Sequence, residues 1–302
     1  MEATWRWTLI TAIAPVAWGS NYYVTREFLP HDAALWGAAI RALPAGLLLL
    51  LICRRLPRGA WWWRAAALGA MNVGAFFALI YVAAQLLPTS VASTIMAASP
   101  IALMLMAWAL VSERPRLVPV AGAAVGLVGV AVMLIGGGGS VDPLGVAASV
   151  TAMVMSSAGY VLAKRWSAGV DVLASTAWQL VAGGLLLLVP AVLVEGAPPA
   201  LDSGAVLGFA YVTVVATAVA FAAWFGGLRH LPASTVGLVG LLNPVTGVLL
   251  GTVLAGDVLT WRQLLGIALV LTGILAGRMR APRQAQIPVR LAASHVSHAR
   301  SG

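Results

Sequence analysis

An apolar stretch with a proline near its centre occurs twice in this chain. Residues 88–113 read PTSVASTIMAASPIALMLMAWALVSE, and residues 232–257 read PASTVGLVGLLNPVTGVLLGTVLAGD. The two copies lie 144 positions apart without a gap. The residues that keep this register are Pro88/Pro232, Pro100/Pro244, Glu113/Asp257, Gly122/Gly266 and Gly129/Gly273. A match of this length in one register indicates an internal duplication.

The central prolines constrain how the two copies can fold. A proline inside a membrane helix removes one backbone hydrogen bond and leaves carbonyl groups that a neighbouring helix or a ligand must satisfy. Pro100 and Pro244 each follow a polar residue, Ser99 and Asn243. The sequence therefore predicts two broken helices in equivalent halves, and such pairs point to a binding site between the halves. A purely structural kink is the alternative at both prolines.

Composition identifies the class of protein. Hydrophobic residues make up 61% of the 302 residues, charged residues make up 9%, and the mean hydropathy is +0.95. A water-soluble chain of this length would expose more apolar surface than it could cover. We therefore expect an all-α integral membrane protein. The single cysteine, Cys53, excludes an intramolecular disulfide.

Ten apolar stretches are long enough to form membrane-spanning helices. Spans 1 to 10 are predicted at residues 5–29, 32–54, 61–87, 88–113, 117–137, 141–165, 171–195, 203–229, 232–257 and 260–279. Most arginines and lysines fall in alternate loops and in the C-terminal tail, so the positive-inside rule places both termini in the cytoplasm. The first span is too long and too polar for a cleaved signal peptide.

Each half of the chain contains five spans, so the two halves must have opposite orientations in the membrane. This inverted-repeat arrangement is typical of many secondary transporters. The predicted units are residues 1–139 and 140–279, followed by a disordered, basic cytoplasmic tail at 280–302. The first two spans of each half also align, at an offset of 138, which pairs Arg41 with Gln179.

Several of these features together resemble a known family. The stretch WGSNYYVTR at 18–26, Arg41 before a leucine-rich run, the proline-centred spans 4 and 9, and the glycine-rich spans 5 and 10 look like the EamA family of the drug/metabolite transporter superfamily. The resemblance covers residues 5 to about 279. It implies a small-solute carrier, often an exporter of amino acids or related metabolites. It also implies a central cavity lined chiefly by spans 1, 3, 4, 6, 8 and 9.

Polar and aromatic residues inside the spans are the candidates for lining this cavity. On span 1, Trp18, Asn21 and Tyr22 recur at helical spacing and share one face. A buried asparagine is costly in hydrocarbon unless it is hydrogen-bonded, so this face is expected to contact protein or water. Cavity lining and packing between helices both fit such positions. The candidates are Trp18, Asn21, Tyr22, Phe77, Tyr81, Met96, Ser99, Pro100, Ser156, Tyr160, Thr217, Phe221, Trp224, Asn243 and Pro244.

Arg41 is the basic residue that lies deep inside a predicted span. It sits roughly 13 Å below the outer boundary, too deep to reach water easily, and it therefore needs a partner. Two interpretations fit. Arg41 either contacts a substrate carboxylate or phosphate, or forms a structural bond to backbone carbonyls of a neighbouring helix or a pair with Glu27.

The absence of acidic residues from the middle of the spans bears on mechanism. All Asp and Glu residues fall at span ends, in loops or at the N-terminus, so a carboxylate relay for proton coupling is missing. A facilitator or exchanger is favoured over a proton antiporter. A single buried cation also argues against dianionic cargo such as sugar phosphates. Neutral or zwitterionic solutes remain, and the aromatic residues favour hydrophobic or aromatic amino acids.

The same absences argue against an enzyme or a cofactor-binding protein. An intramembrane enzyme needs a nucleophile with a base, or two carboxylates, at membrane depth. The histidines lack the spacing of metal ligands, and Gly136 to Gly139 is not followed by the Gly-Lys-Ser/Thr of a phosphate-binding loop. We therefore expect no metal, no cofactor and no nucleic-acid partner.

The sequence thus predicts a multi-pass exporter or facilitator in the inner membrane of a bacterium, working by alternating access. Its expected partners are a small-molecule substrate and the lipid bilayer. It is expected to be a monomer or a homodimer, because the Gly122/Gly126 and Gly273/Gly277 pairs allow helices to approach closely, chiefly for packing. The alternatives are ion-coupled efflux of drugs or other metabolites, and a membrane scaffold or receptor.

Overall fold

The structure, a computed structural model, describes residues 2–30, 33–87, 89–134, 142–254 and 259–277. Within these ranges the chain forms α-helices and short π-helical segments, with no strand. The α-helices are Glu2–Phe28 (α1), Ala34–Cys53 (α2), Trp61–Gly69 (α3), Ala75–Leu86 (α4), Thr89–Met96 (α5), Ser99–Val111 (α6), Leu117–Leu134 (α7), Pro143–Trp166 (α8), Val172–Pro190 (α9), Ser203–Thr213 (α10), Ala220–His230 (α11), Ala233–Gly240 (α12), Leu242–Leu254 (α13) and Trp261–Gly277 (α14). The π-helical segments are Ala70–Gly74, Ala191–Glu195 and Val214–Val219.

Eight helical segments of the described chain are long and apolar enough to cross a membrane. They are Ala34–Cys53, Trp61–Leu86, Thr94–Val111, Leu117–Leu134, Pro143–Trp166, Val172–Glu195, Ser203–His230 and Ala233–Leu254. The helix Trp261–Gly277 is apolar but shorter. The prediction of an all-helical membrane protein is confirmed. Ten crossings and two cytoplasmic termini stay predictions.

Spans 4 and 9 are each divided into two helices, as the central prolines predict. α5 ends at Met96, and α6 begins at Ser99 with Pro100 in its first turn. The chain breaks again between α12 and α13, and Pro244 lies in the first turn of α13. Proline suits this position because the first N–H groups of a helix have no partner within it. Each break therefore falls just before its proline.

Helices α7 and α14 approach so closely that only glycine fits at the contact. A Cβ atom built on Gly122 would lie 2.5 Å from the carbonyl oxygen of Gly273, and one built on Gly129 would lie 2.7 Å from that of Gly266. The packing role predicted for Gly122 and Gly273 agrees with this contact. As α7 advances from Gly122 to Gly129, its partner runs back from Gly273 to Gly266, so the two helices are antiparallel. Gly273 is the repeat equivalent of Gly129, and Gly266 is that of Gly122. Each glycine of α7 therefore contacts the repeat equivalent of the other glycine of α7.

Helices α2 and α9 show the same relationship. A Cβ atom on Gly46 would lie 2.6 Å from the backbone nitrogen of Val181, and one on Gly184 would lie 2.8 Å from that of Leu43. The offset of 138 makes Gly184 the equivalent of Gly46 and Val181 the equivalent of Leu43. Two pairs of repeat-equivalent helices therefore meet in antiparallel contacts.

The remaining helices form a connected group at the centre. α1 packs against α11 and α13, and α8 packs against α4 and α6, which are the equivalent pairs in the repeat register. α6 also packs against α12, and α8 against α11. These helices come from spans 1, 3, 4, 6, 8 and 9, so candidate residues on all six lie in neighbouring elements.

Candidate substrate site

Five aromatic side chains from three helices form one cluster. Trp18 of α1 lies 5.4 Å from Phe221 and 5.2 Å from Trp224, measured between ring centroids. Tyr160 of α8 lies 5.6 Å from Trp224 and 5.8 Å from Phe225. These separations are those of favourable tilted and edge-to-face pairs. We refer to Trp18, Tyr160, Phe221, Trp224 and Phe225 as the aromatic cluster.

The rings of the aromatic cluster differ in exposure. Phe221, Trp224 and Phe225 of α11 are 3%, 4% and 7% exposed, whereas Trp18 and Tyr160 are only partly buried. The indole Nε1 of Trp224 is buried and has no hydrogen-bond partner among the described residues. A buried donor without a partner costs stability. The cluster therefore combines an apolar surface with one unpaired donor.

Arg41 lies beside this cluster and joins three helical elements. Its Nε donates to Oγ1 of Thr217 at 2.9 Å, its Nη1 to Oδ1 of Asn21 at 3.1 Å, and its Nη2 to the carbonyl oxygen of Ala216 at 3.0 Å. The guanidinium carbon lies 5.5 Å from the ring centroid of Phe77. We refer to Asn21, Arg41, Phe77, Ala216 and Thr217 as the Arg41 cluster.

The π-helical segment Val214–Val219 explains why a backbone carbonyl is free to accept a hydrogen bond from Arg41. In an α-helix the N–H of Ala220 would bond to the carbonyl of Ala216. Here it bonds to Val215 and Thr217 instead. The carbonyl of Ala216 accepts from Arg41 and also from Trp18 Nε1, at 3.1 Å. The two clusters are therefore connected through one carbonyl group.

The Arg41 cluster has a neutral counterpart at the equivalent positions of the repeat, and this counterpart also joins the two halves. Gln179 is the repeat equivalent of Arg41, and Asn72, in the π-helical segment Ala70–Gly74, is the equivalent of Ala216. The Nδ2 of Asn72 donates to Oε1 of Gln179 at 2.9 Å. Both side chains are buried, at 0% and 1% exposure. Gly159, the equivalent of Asn21, lies against the Asn72 amide. This counterpart is closed and uncharged.

The proline breaks lie at helix contacts. Pro100 is buried, and a Cβ atom on Gly237 of α12 would lie 3.0 Å from its Cα. A Cβ atom on Gly19 of α1 would lie 2.6 Å from the carbonyl oxygen of Asn243. The side-chain Oδ1 of Asn243 is buried and has no hydrogen-bond partner in the described part of the chain. The second break therefore packs against α1 and carries an unpaired acceptor.

The predicted residues divide into those that the structure groups together and those that it does not. Trp18, Tyr160, Phe221 and Trp224 join the aromatic cluster, and Asn21, Phe77 and Thr217 surround Arg41. Ser156 is buried and donates to its own helix, at the carbonyl of Met153. The partly buried residues outside both clusters are Tyr81, Met96, Ser99 and Pro244. The side chain of Tyr22 lies outside the described residues.

Some contacts near these clusters carry little sequence signal. Ser20 and Tyr211 share a hydrogen bond of 2.6 Å between α1 and α10. The Asn72 amide pairs across the halves, and Phe225 completes the aromatic cluster. Phe225 aligns with Tyr81 in the repeat register, and this alignment is the sequence feature that indicates Phe225. Within the described residues, no group of three or more His, Cys, Asp or Glu side chains is placed to hold a metal ion.

Two open cavities lie at helix ends. One, of about 720 Å³, is lined by residues 54–58, the start of α3 and residues 169–171, together with Trp178. The other, of about 480 Å³, is lined by residues 27–30 at the end of α1 and by residues 200–202 and Ala205. Neither is lined by the aromatic cluster or by Arg41.

A family match covers almost all of the described chain. The model of the EamA-like transporter family matches residues 5–135 and, a second time, residues 143–276. This chain belongs to the EamA-like transporter family. The resemblance found in the sequence is therefore confirmed, and the protein is a multi-pass membrane transporter.

Several curated relatives align along most of their length. Protein PecM of Dickeya dadantii is 33% identical over 264 residues, which cover 87% of this chain and 89% of PecM. A protein of Escherichia coli K12 named "Uncharacterized inner membrane transporter YedA" is 26% identical, and the alignment covers 86% of each chain. A Salmonella typhimurium protein named "Probable amino-acid metabolite efflux pump" is 25% identical, covering 88% of this chain and 92% of its own.

A solved structure has the same fold. A crystal structure superimposes with a TM-score of 0.79 over 90% of this chain and 96% of that chain, at 21% sequence identity. The likeness covers most of the helical arrangement, and it concerns the fold alone.

Proposed function

We propose that this protein is a secondary transporter that exports small neutral or zwitterionic metabolites by alternating access. Hydrophobic and aromatic amino acids are the proposed substrates, and the inner membrane of a bacterium is the proposed location. The observation that carries the proposal is the aromatic cluster. It brings Trp18 of the first half against Phe221 and Trp224 of the second, so an apolar solute bound there would contact both halves.

The proposed architecture is ten spans in two inverted repeats, residues 1–139 and 140–279, with both termini in the cytoplasm and a basic tail at 280–302. The two separate family matches support a division into halves. The antiparallel contacts of α7 with α14 and of α2 with α9 support opposite orientations, because equivalent helices of an inverted repeat must run in opposite directions. Movement of one half against the other would then open the site to each side in turn.

An ion pair between the two halves and two open cavities lie at the ends of the helices. At the proposed cytoplasmic end, Lys164 of α8 bonds to Glu113 beyond α6, at 2.8 Å. The cavity of about 720 Å³ lies at this same end, beside Arg54, Arg55 and Arg58, and the cavity of about 480 Å³ lies at the opposite end, where the end of α1 meets the start of α10. The ion pair joins a residue of the first half to one of the second, so movement of one half against the other would change this contact.

The relatives support the proposed location and cargo by their names alone. YedA is named an inner membrane transporter, and the Salmonella protein is named for efflux of amino-acid metabolites. The aromatic cluster is consistent with such solutes, since aromatic and aliphatic side chains bind well against tilted rings.

Uptake into liposomes tests the proposal. Purified protein would be reconstituted and supplied with labelled L-phenylalanine, L-threonine or a sugar phosphate. We expect saturable uptake of L-phenylalanine that is lowered by Phe221→Leu, which alters the aromatic cluster. Phe28→Leu is the matched control, because Phe28 is 44% exposed at the end of α1. Uptake of none of the three probes above that of protein-free liposomes would refute the proposal.

A further inference from the structure

The guanidinium group of Arg41 has donors to spare. An arginine side chain carries five N–H groups. One from each nitrogen is engaged by Thr217, Asn21 and Ala216, which leaves one on each of Nη1 and Nη2. All three partners among the described residues are uncharged. The positive charge of Arg41 is therefore solvated by dipoles but not neutralised by them.

The neutral counterpart shows that the structural tie at this position does not require a charge. Gln179 holds the equivalent place in the other half and bonds to Asn72 of the equivalent π-helical segment. A glutamine is thus sufficient to join span 7 to span 3. A charged side chain inside a membrane protein is expensive and usually functional. The charge of Arg41 consequently calls for a role beyond packing.

Three members of the Arg41 cluster are also more accessible than its counterpart. Arg41, Asn21 and Phe77 are only partly buried, whereas Asn72 and Gln179 are almost completely buried. The bonds to Thr217 and Asn21 fix the plane of the guanidinium, so its orientation is set before any ligand binds. Phe77 and, through the shared carbonyl of Ala216, Trp18 provide apolar surface next to it.

From these observations we infer that Arg41 is the subsite for a carboxylate group of the transported solute. The substrate class is then a monocarboxylate with an apolar or aromatic body, such as an aromatic amino acid, and amines or esters without a carboxylate are excluded. The free N–H groups of Nη1 and Nη2 donate to the carboxylate oxygens, while the aromatic cluster contacts the body. This inference rests on the proposed transport function and narrows its substrate.

Competition with L-phenylalanine tests the inference on the unaltered protein. Uptake of labelled L-phenylalanine into liposomes would be measured with 3-phenylpropionate, which lacks the amine, or phenethylamine, which lacks the carboxylate. We expect 3-phenylpropionate to compete at least tenfold better, since charge-assisted bonds to a carboxylate favour binding by about ten- to a hundredfold. Equal competition, or better competition by phenethylamine, would overturn the inference.

The variant Asn21→Asp supplies a carboxylate from the protein itself. Aspartate has nearly the shape of asparagine and accepts from the same Nη1 of Arg41, so the protein is expected to fold with equal or higher thermal stability. If Arg41 binds the solute carboxylate, the new charge competes with it, and L-phenylalanine uptake falls at least tenfold. If Arg41 has a structural role alone, uptake is unchanged.

A control variant and the wild type distinguish a failure of the carboxylate subsite from a failure of the transport function. Gln85→Glu is the control, because it adds the same charge at an exposed position of α4, two turns beyond Phe77; its uptake is expected to equal that of the wild type. L-phenylalanine uptake that is unaffected by Asn21→Asp, with a methyl ester carried as well as the acid, would reject the carboxylate subsite and leave the transporter assignment intact. Absence of uptake by the wild type would reject the transport function itself.

Discussion

Lys164 donates to Glu113 with a distance of 2.8 Å between Nζ and Oε2, and both side chains reach across to the start of α12. The second carboxylate oxygen of Glu113 accepts from the backbone nitrogen of Ala233 at 2.7 Å. The same Nζ of Lys164 donates to the carbonyl oxygen of Leu231 at 3.1 Å. One ion pair therefore joins the ends of α6 and α8 to the connection between α11 and α12.

Removing Lys164 should loosen this end of the protein. Lys164→Met keeps the length of the side chain but leaves Glu113 without its cation, and the expected loss of stability is about 1–3 kcal/mol. Arg165→Met is the control, because Arg165 is exposed and bonds to a single carbonyl, that of Leu110. Thermal unfolding in detergent measures both. An equal effect of the two variants would show that the ion pair contributes little.

A single methyl group at Gly122 should separate α7 from α14. Gly122→Ala would place its Cβ 2.5 Å from the Gly273 carbonyl and 2.7 Å from the Gly277 Cα, both of which are backbone atoms that cannot rotate away. The expected cost is about 1–3 kcal/mol. Gly37→Ala in α2 is the matched control, since its Cβ would meet nothing closer than 3.9 Å. A lower unfolding temperature is expected for Gly122→Ala only.

Trp224→Phe should lower transport more than it lowers stability. The indole Nε1 of Trp224 has no partner among the described residues, so its removal costs no internal hydrogen bond, and stability should fall only by the lost packing of the larger ring. L-phenylalanine uptake should fall several-fold if this donor serves the solute. Trp18→Phe, in contrast, loses the bond to the Ala216 carbonyl and should unfold at a lower temperature. Unaltered uptake by Trp224→Phe would remove this donor from the proposed site.

Uptake should not respond to a pH gradient. No Asp or Glu lies in the middle of a predicted span, and the charged group inside one, Arg41, stays protonated throughout the physiological range. The initial rate of L-phenylalanine uptake is therefore expected to be equal with and without a gradient across the liposome membrane. Accumulation of the solute against its own gradient when protons flow would contradict this expectation.

Sequence alone predicted the parts of the fold that depend on hydrophobic length and on proline. The breaks beside Pro100 and Pro244 follow from a backbone rule that acts locally. The π-helical segments were not predicted, because Ala70–Gly74 and Val214–Val219 contain residues that are ordinary in any membrane helix. Without the segment Val214–Val219, the carbonyl of Ala216 would be expected to accept a hydrogen bond within its own helix and not from Arg41.

For the site, the sequence identified side chains but not how they combine. Trp18 and Asn21 were placed on one helical face, and Thr217 and Phe221 on another helix, by spacing. Arg41 was treated apart from them, because nothing in the chain order shows that α2 packs against the segment Val214–Val219. That contact is tertiary, and so is the pairing of Asn72 with Gln179.

The contact between α7 and α14 follows the rule of an isologous dimer. Each glycine meets the counterpart of the other, which is the pattern that two identical subunits produce about a two-fold axis. A gene for one five-helix subunit would already encode both surfaces of that interface, so its duplication and fusion would need no new contact. Fusion then frees the two copies to diverge in sequence. Arg41 and Gln179 are such a divergence, and they make one side of an otherwise symmetric assembly charged.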